Sequence, residues 1–278
     1  MVRFLDSIKP GQRFFVAEHL SDAHFPWKRV PDAVAKRLGF KDGLSFVEQD
    51  AYVDGQYIGL MARYYQNISR VDAQVQMIVR ELKRLKLYDK TMIVIESDHG
   101  CQWYEHEHAY YVSHLYQQSI HLPLIVKFPG KRRGVTIDAP VVQMDVLPTI
   151  MELAGVASSR PLYGHSVASL LDGAPPSADL LPRLTERDML LKTHYDTLGV
   201  LSRFRQKLIY DRPTGTFLLF DLVHDPQEMV NLADRRPDLL AEMLGRLRRA
   251  TREHMVYLGG IEPSHHHPAA ETGLDPAR

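Results

Sequence analysis

Apolar and polar positions fall in blocks along this chain, and the blocks predict a sequence of elements. "RFFVAEHL" (13–20) is a short apolar run between Gly11 and the polar turn at Ser21-Asp22, which predicts a buried strand. Residues 28–56 have weak periodicity and several Gly, Asp and Lys, and read as a surface excursion. From Ile58 the apolar positions recur every third or fourth residue. Ile58, Met61, Ala62, Tyr65, Ile68, Val75, Ile78, Val79 and Leu82 form the stripe of an amphipathic helix reaching Leu87.

"TMIVIESDHG" (91–100) then runs mostly apolar, β-branched positions straight into Asp98, His99 and Gly100, predicting a fully buried strand over 91–97. A second apolar run, "HLPLIVKFPG" (121–130), stops on Pro-Gly. "MDVLPTIMELAG" (144–155) predicts a short helix with Asp145 as N-cap, Pro148 in its first turn and Gly155 as its stop. Helix and strand alternate from 13 to 155, which argues for an α/β fold with a mostly parallel sheet flanked by helices.

The Pro-, Gly- and Ala-rich stretch "LLDGAPPSADLLP" (170–182) reads as a linker. After it, "GVLSRFRQKLIYD" and "TFLLFDL" predict two antiparallel strands joined around "RPTG". "PDLLAEMLGRLRRATREHMVYLG" (237–259) predicts a helix with Pro237 at its start and basic residues late. The tail, with histidines at 265–267, reads as disordered and solvated. The expected division is an α/β domain over 1–172, a small C-terminal α+β subdomain over 173–260, and the tail over 261–278.

Composition narrows the classes further. Lys+Arg and Asp+Glu both total 34, so no overall field calls for nucleic acid. Cys101 is the one cysteine, so no internal disulfide forms. No apolar run has the length of a membrane span, and the opening "MVRFLDSIKPGQRFF" lacks the apolar core of a secretory leader. These features predict a soluble chain without an export address of its own, and leave its localisation open. Asn67-Ile68-Ser69 matches a glycosylation sequon but falls inside the helical stripe, where it reads as chance.

The chemistry concentrates at 98–100. Ligands of open α/β sheets collect beyond the carboxyl ends of strands, and Asp98 and His99 stand at such an end. A carboxylate oxygen and an imidazole nitrogen are both metal donors, and Gly100 lets the backbone turn so that both reach one place. A solvated Asp-His-Gly turn explains the same residues equally well.

Five segments in order break that tie: "FFVAEHLSDAHFPW", "RVDAQVQMIVRELKRLKLYDKTMIVIESDHG", "SDHGCQWYEHEHAYYVSHLYQQSIHLPLIVKFPG", "VVQMDVLPTIMELAGV" and "QKLIYDRPTGTFLLFDLVHDPQEMVNLADRRPDL". Together they resemble the sulfatase family of the alkaline phosphatase superfamily. The resemblance implies a partial alkaline-phosphatase-like sandwich and hydrolysis of sulfuric esters, in small molecules or glycans, with one divalent ion. That ion is usually calcium, with Mg2+, Mn2+ or Zn2+ as alternatives. It places Asp98 and His99 as metal ligands, His24 in the sulfate pocket, and His114 as a basic sulfate contact with irregular spacing. His106 and His108 read as an exposed loop, Lys127 as a solvated strand-end lysine, and Cys101 as unactivated. Asp221 and Asp225 read as structural, with Asn231 and Glu228 bonding local backbone.

Two departures from the family stand out. Sulfatases use a formylglycine made from the Cys of a Cys-x-Pro-x-Arg motif, and an adjacent Asp-Asp pair completes the metal shell. Neither motif occurs in the sequence. The chain therefore resembles the C-terminal portion of a sulfatase, with a complementing N-terminal segment or a second copy as the expected partner. The alternatives are a non-catalytic fragment or pseudoenzyme that pairs with another chain, and a phosphodiesterase-type member of the superfamily.

Overall fold

The computed structural model describes residues 1–9, 11–24, 56–103, 105–106, 109–110, 115–130, 134–171, 173–193 and 197–259. The predicted excursion over 28–56 lies outside them but for its last residue, and the histidine tail lies wholly outside. The chain divides into two compact units, one of Met1–Ile95 with Ile125–Arg132, the other of Glu96–Leu124 with Arg133–Arg278.

The first unit is built on a long helix. Helix α1 (Val2–Asp6) is followed by a 3₁₀ turn, Ser21–Ala23, and by α2 (Gln56–Arg84), close to the predicted span. Arg84 ties α2 back to Asp6, and Gln74 Nε2 donates to Asp22 Oδ2 at 2.7 Å. Asn67 is fully buried and donates to the Arg63 carbonyl, so the sequon reads as helix packing. The helical period is right, but its stripe is incompletely covered: Tyr65 is 58% exposed, while Leu82 is buried.

Strand β1 (Ile93–Glu96) follows a 3₁₀ turn, skips the three short elements between, and pairs with β4 (Leu124–Lys127). The expectation of a fully buried β1 fails, since Ile93, Val94 and Ile95 are each only partly covered. Residues 13–20 form no strand, and Phe15 is 78% exposed. An apolar run becomes a strand only where another strand takes its backbone hydrogen bonds, and among the described residues no strand pairs with 13–20. Lys127 is no solvated lysine either. Its ammonium donates to the Tyr88 carbonyl and to Thr91 O (2.9 Å) and lies 4.2 Å over the Tyr88 ring, and burial lowers its pKa.

The second unit carries the short antiparallel pair β2 (Gln102–Trp103) and β3 (Ala109–Tyr110), then α3 (Gln117–Ile120) and α4 (Val146–Ala154). Helix α4 ends on Gly155 in the left-handed region (φ 66°), as its sequence predicts. Asp145 holds the N-cap position but its side chain makes no capping bond to α4; its carboxylate instead accepts the Val142 N–H and bonds elsewhere. The predicted linker is core at its start: Leu170 is fully buried and clusters with Val167 before it and with Leu184 just beyond it in α5 (Leu180–Thr185).

Strands β5 (Asp188–Lys192), β6 (Thr197–Ser202), β7 (Gln206–Asp211) and β8 (Thr216–Asp221) form an antiparallel sheet in chain order. The sequence predicts two of these strands and the structure has four. The run "GVLSRFRQKLIYD" breaks in the middle because Arg203 and Phe204 take φ of 51° and 55°, turning β6 into β7. Both faces of the sheet are covered. Helix α6 (Pro237–Gly259) buries Met243 and Leu247 against Leu198, Val200, Leu208 and Leu219. On the other face Leu201, Ile209 and Phe220 pack with Leu115 and Tyr116. Mixed helices and sheets make this an α/β fold, as expected.

Candidate functional site

The site begins where β1 ends. Asp98 and His99 leave the strand in a turn whose side chains face solvent, 78% and 41% exposed. Asp98 Oδ1 accepts the His99 backbone N–H at 3.0 Å, which holds the carboxylate over the turn. His99 Nδ1 lies 2.9 Å from the Gly100 carbonyl oxygen. A carbonyl can only accept, so Nδ1 carries the proton and Nε2 presents the lone pair, the tautomer a metal ligand needs. Asp98 Oδ2 and His99 Nε2 stand 3.9 Å apart. Two ligands of one calcium ion stand at most about 5 Å apart, given metal–oxygen distances near 2.4 Å.

The donors therefore fit a divalent cation as part of its shell. They do not complete one: among the described residues no three His, Cys, Asp or Glu side chains cluster. Calcium takes about six to eight oxygens, so the remaining ligands must come from water or other groups.

Gly100 is required here, though not for the reason its sequence suggests. Its φ is not among the left-handed ones. A Cβ at this position would stand 2.0 Å from the Gln118 carbonyl oxygen, and its own N–H donates to Ser119 O at 2.9 Å. Close backbone approach to α3 demands the glycine. From the other side, Gln143 Nε2 donates to the carbonyls of Ser97 (2.8 Å) and Asp98 (3.3 Å).

The remaining predicted site residues are scattered. His24 closes the 3₁₀ turn Ser21–Ala23, its N–H donating to Ser21 O at 3.0 Å, and its side chain is exposed. It belongs to the first compact unit, whereas Asp98 and His99 belong to the second. His114, His108 and Glu107 lie outside the described residues. His106 is not an exposed loop histidine. It stacks on Tyr116 with ring centroids 3.7 Å apart, and burial lowers its pKa.

Asp225 is structural as expected, accepting the N–H groups of Met229 (3.1 Å) and Val230 (2.8 Å). Asn231 accepts from Leu219 N (2.9 Å) and donates to Phe217 O (3.1 Å), both on β8. Glu228 corrects its expectation. It is buried, forms an ion pair with the fully buried Lys207, and accepts the Gln117 N–H at 2.6 Å, far from it in sequence. Desolvation pulls the Lys207 pKa down to about 8, with Glu228 opposing. Sequence reasoning missed Lys207, although its strand parity signals it: it shares a face of β7 with the buried Ile209.

Comparison with known proteins supplies the frame. The Sulfatase family profile matches residues 1–156, and that of "N-sulphoglucosamine sulphohydrolase, C-terminal" matches residues 106–253. Arylsulfatase K of Mus musculus is 27% identical over 203 residues, covering 71% of this chain and 36% of the relative. The chain thus spans about a third of the length of the curated relatives it matches. Among solved structures, one in complex with its substrate D-glucosamine-2-N,6-O-disulfate superposes with a TM-score of 0.60 at 20% identity. That match covers 81% of this chain and 45% of the other. Phosphonate monoester hydrolase from Silicibacter pomeroyi also gives 0.60, at 23% identity over 76% of this chain and 45% of its own. The two superpositions speak for the fold alone. Sulfatases generally use a divalent metal, and with a profile match over more than half its length, the chain belongs to the sulfatase family.

Proposed function

We propose that this chain carries the Asp98–His99 part of the metal site of a sulfuric-ester hydrolase, with calcium as the ion. The observation that carries the reading is the Asp98–His99 turn, where one hydrogen bond sets the histidine tautomer and another sets the carboxylate. When bound, the cation supplies Lewis-acid polarisation of the sulfate oxygens. The chain's own residues hold and orient. Asp98 brings negative charge to the ion, His99 a neutral nitrogen, and Gln143 and Ser119 keep the backbone between them in place. His24 and His114 are the proposed sulfate contacts and proton carriers. The match over 106–253 to a sulphohydrolase C-terminal family favours a sulfuric ester over a phosphodiester.

The nucleophile motif is not in these residues, and a complementing N-terminal segment is the proposed source of it and of further metal ligands. The same absence favours a second reading, in which the chain alone binds without turning over. Two measurements test the proposal. Calcium titrated calorimetrically into the chain should give heats that vanish in a D98A/H99A variant; equal heats in both would overturn the metal assignment. Hydrolysis of an aryl sulfate should appear only when a family segment carrying Cys-x-Pro-x-Arg is supplied with this chain. Preference for an aryl phosphodiester would move the chain to the phosphodiesterase reading.

A further inference from the structure

The turn that carries Asp98 and His99 is gripped from two sides, and each grip leads back to an ion pair anchored at the C-terminal antiparallel sheet, one fully buried and one buried on its carboxylate side. The first begins at Lys207 on β7 and Glu228 after β8, both with fully buried side chains and paired with each other. Lys207 Nζ donates to Leu115 O at 2.7 Å, and Glu228 Oε2 accepts from Gln117 N at 2.6 Å. Both charges thus spend a hydrogen bond on the stretch 115–117. That stretch opens α3, whose Ser119 carbonyl takes the Gly100 N–H, and whose Gln118 carbonyl packs against Gly100 too closely for any side chain.

The second grip begins at Arg187, which abuts β5. Its guanidinium donates two bonds, of 2.9 and 2.7 Å, to the fully buried carboxylate of Asp145. Asp145 also accepts the N–H groups of Val142 (3.0 Å) and His165 (2.9 Å). The turn so fixed contains Gln143, whose amide reaches the Ser97 and Asp98 carbonyls.

Buried ion pairs are a costly way to hold a sheet, since apolar side chains of similar volume commonly do as well. Glu228 is more constrained still: it sits at φ 59°, where a glutamate is strained and where such strain tends to mark function. We propose that Lys207–Glu228 and Arg187–Asp145 are positioning residues for the Asp98-His99-Gly100 turn, making the C-terminal sheet part of the frame of the metal site. The inference rests on the reading of Asp98 and His99 as ligands. It goes beyond that reading by assigning their geometry to residues up to 130 positions away, counting from Asp98 to Glu228.

The test separates positioning from plain stability. In the double variant K207M/E228Q both charges go and the volumes stay close, so the fold should persist. Hydrogen exchange at the Gly100 amide should then quicken at least about tenfold relative to the amides of β6 and β8, and calcium affinity should fall by about 10–100-fold, the usual cost of losing an outer-shell support. Arg187→Lys, which keeps the charge but loses the two-pronged contact, should quicken exchange at His99 and Gly100 in the same way. Should the double variant not fold, Glu228→Asp decides for the first pair. It keeps the charge beside Lys207 but withdraws the carboxylate from the Gln117 amide. Gly100 exchange that moves only in step with the sheet amides in these variants would overturn the proposal. Loss of calcium binding is a separate matter. If D98A/H99A binds calcium like the unaltered chain, the metal reading fails, while the exchange data still decide whether the pairs position the turn.

Discussion

Strands β1 and β4 and the sheet β5–β8 are written in nearly the same alphabet, yet the pair stays half-covered while the middle of the sheet is sealed. "IVIE" and "LIVK" leave Leu124 at 38% and Ile125 at 59% exposure. "TLGVLS" is buried at every position. The difference lies in what each strand finds nearby. β6, β7 and β8 follow one another through short turns, so each is paired by its chain neighbour, and α6 comes next in sequence to cover one face. β1 and β4 have only each other among the described residues. Hydrophobicity supplies the demand for burial; local connectivity decides whether the demand is met within the same stretch of chain.

The sharpest way to break this comparison is to remove equal amounts of side chain from each sheet. Leu208 on β7 is fully buried and packs under α6, so Leu208→Ala should cost about 2–5 kcal/mol through lost transfer and a cavity. Ile125→Ala removes a similar volume from β4, but Ile125 is 59% exposed, and the cost should stay below about 1 kcal/mol. Urea unfolding of both variants, read by far-UV circular dichroism, checks the pair. Equal losses would mean that the β1–β4 strands are buried in the folded chain after all.

Glycines divide the same way. Gly100 stands where a Cβ would meet the Gln118 carbonyl at 2.0 Å, whereas Gly130, beyond β4, has open space around it and a φ of 73°. Gly100→Ala should therefore cost about 1–3 kcal/mol by forcing α3 and the turn apart. Gly130→Ala should cost about 1–2 kcal/mol from backbone strain alone. The stronger distinction is positional: of these two substitutions, Gly100→Ala alone should quicken exchange of the amide at position 100.

What could be read from sequence follows the range over which each feature is determined. Helices α2 and α6 were legible because their period repeats over many turns and their ends carry local signals such as Pro237. Strand β5 was not, because "DMLLK" is short and does not alternate, and is recognisable only once β6 lies beside it. The break at Arg203-Phe204 has no local signal, because neither residue is a usual host for positive φ. The Asp-His-Gly turn was visible as a motif. Its supports were not: Gln117 and Glu228 are 111 residues apart, Arg187 and Asp145 are 42, and nothing local in either segment announces the partner.

The smallest expected effect concerns pH, and it too falls on one side of the comparison. His106, His165 and His254 all lie in the second compact unit, and for each, burial is the main cause of a pKa below the ordinary 6.5. Nearby cations push the same way, Lys207 for His106, Arg187 and Arg183 for His165, and Lys192 for His254. Glu228 and Glu105 oppose this at His106, as Asp145 does at His165, but they do not reverse it. With a lowered pKa in the fold, the unfolded chain binds more protons in the window below 6.5, so stability falls as pH drops through it. Carboxylates whose pKa the fold lowers, such as Asp238 at about 2, act only below their ordinary value of 3.8, well clear of this window. Taking the chain from pH 7.5 to 5.5 should thus lower the urea midpoint and quicken exchange in β6–β8, leaving the amides of α2 unaffected. Replacing the three histidines with glutamine should flatten that dependence; an unchanged slope would place the proton uptake elsewhere and remove buried histidine as the reason the sealed sheet is the acid-sensitive one.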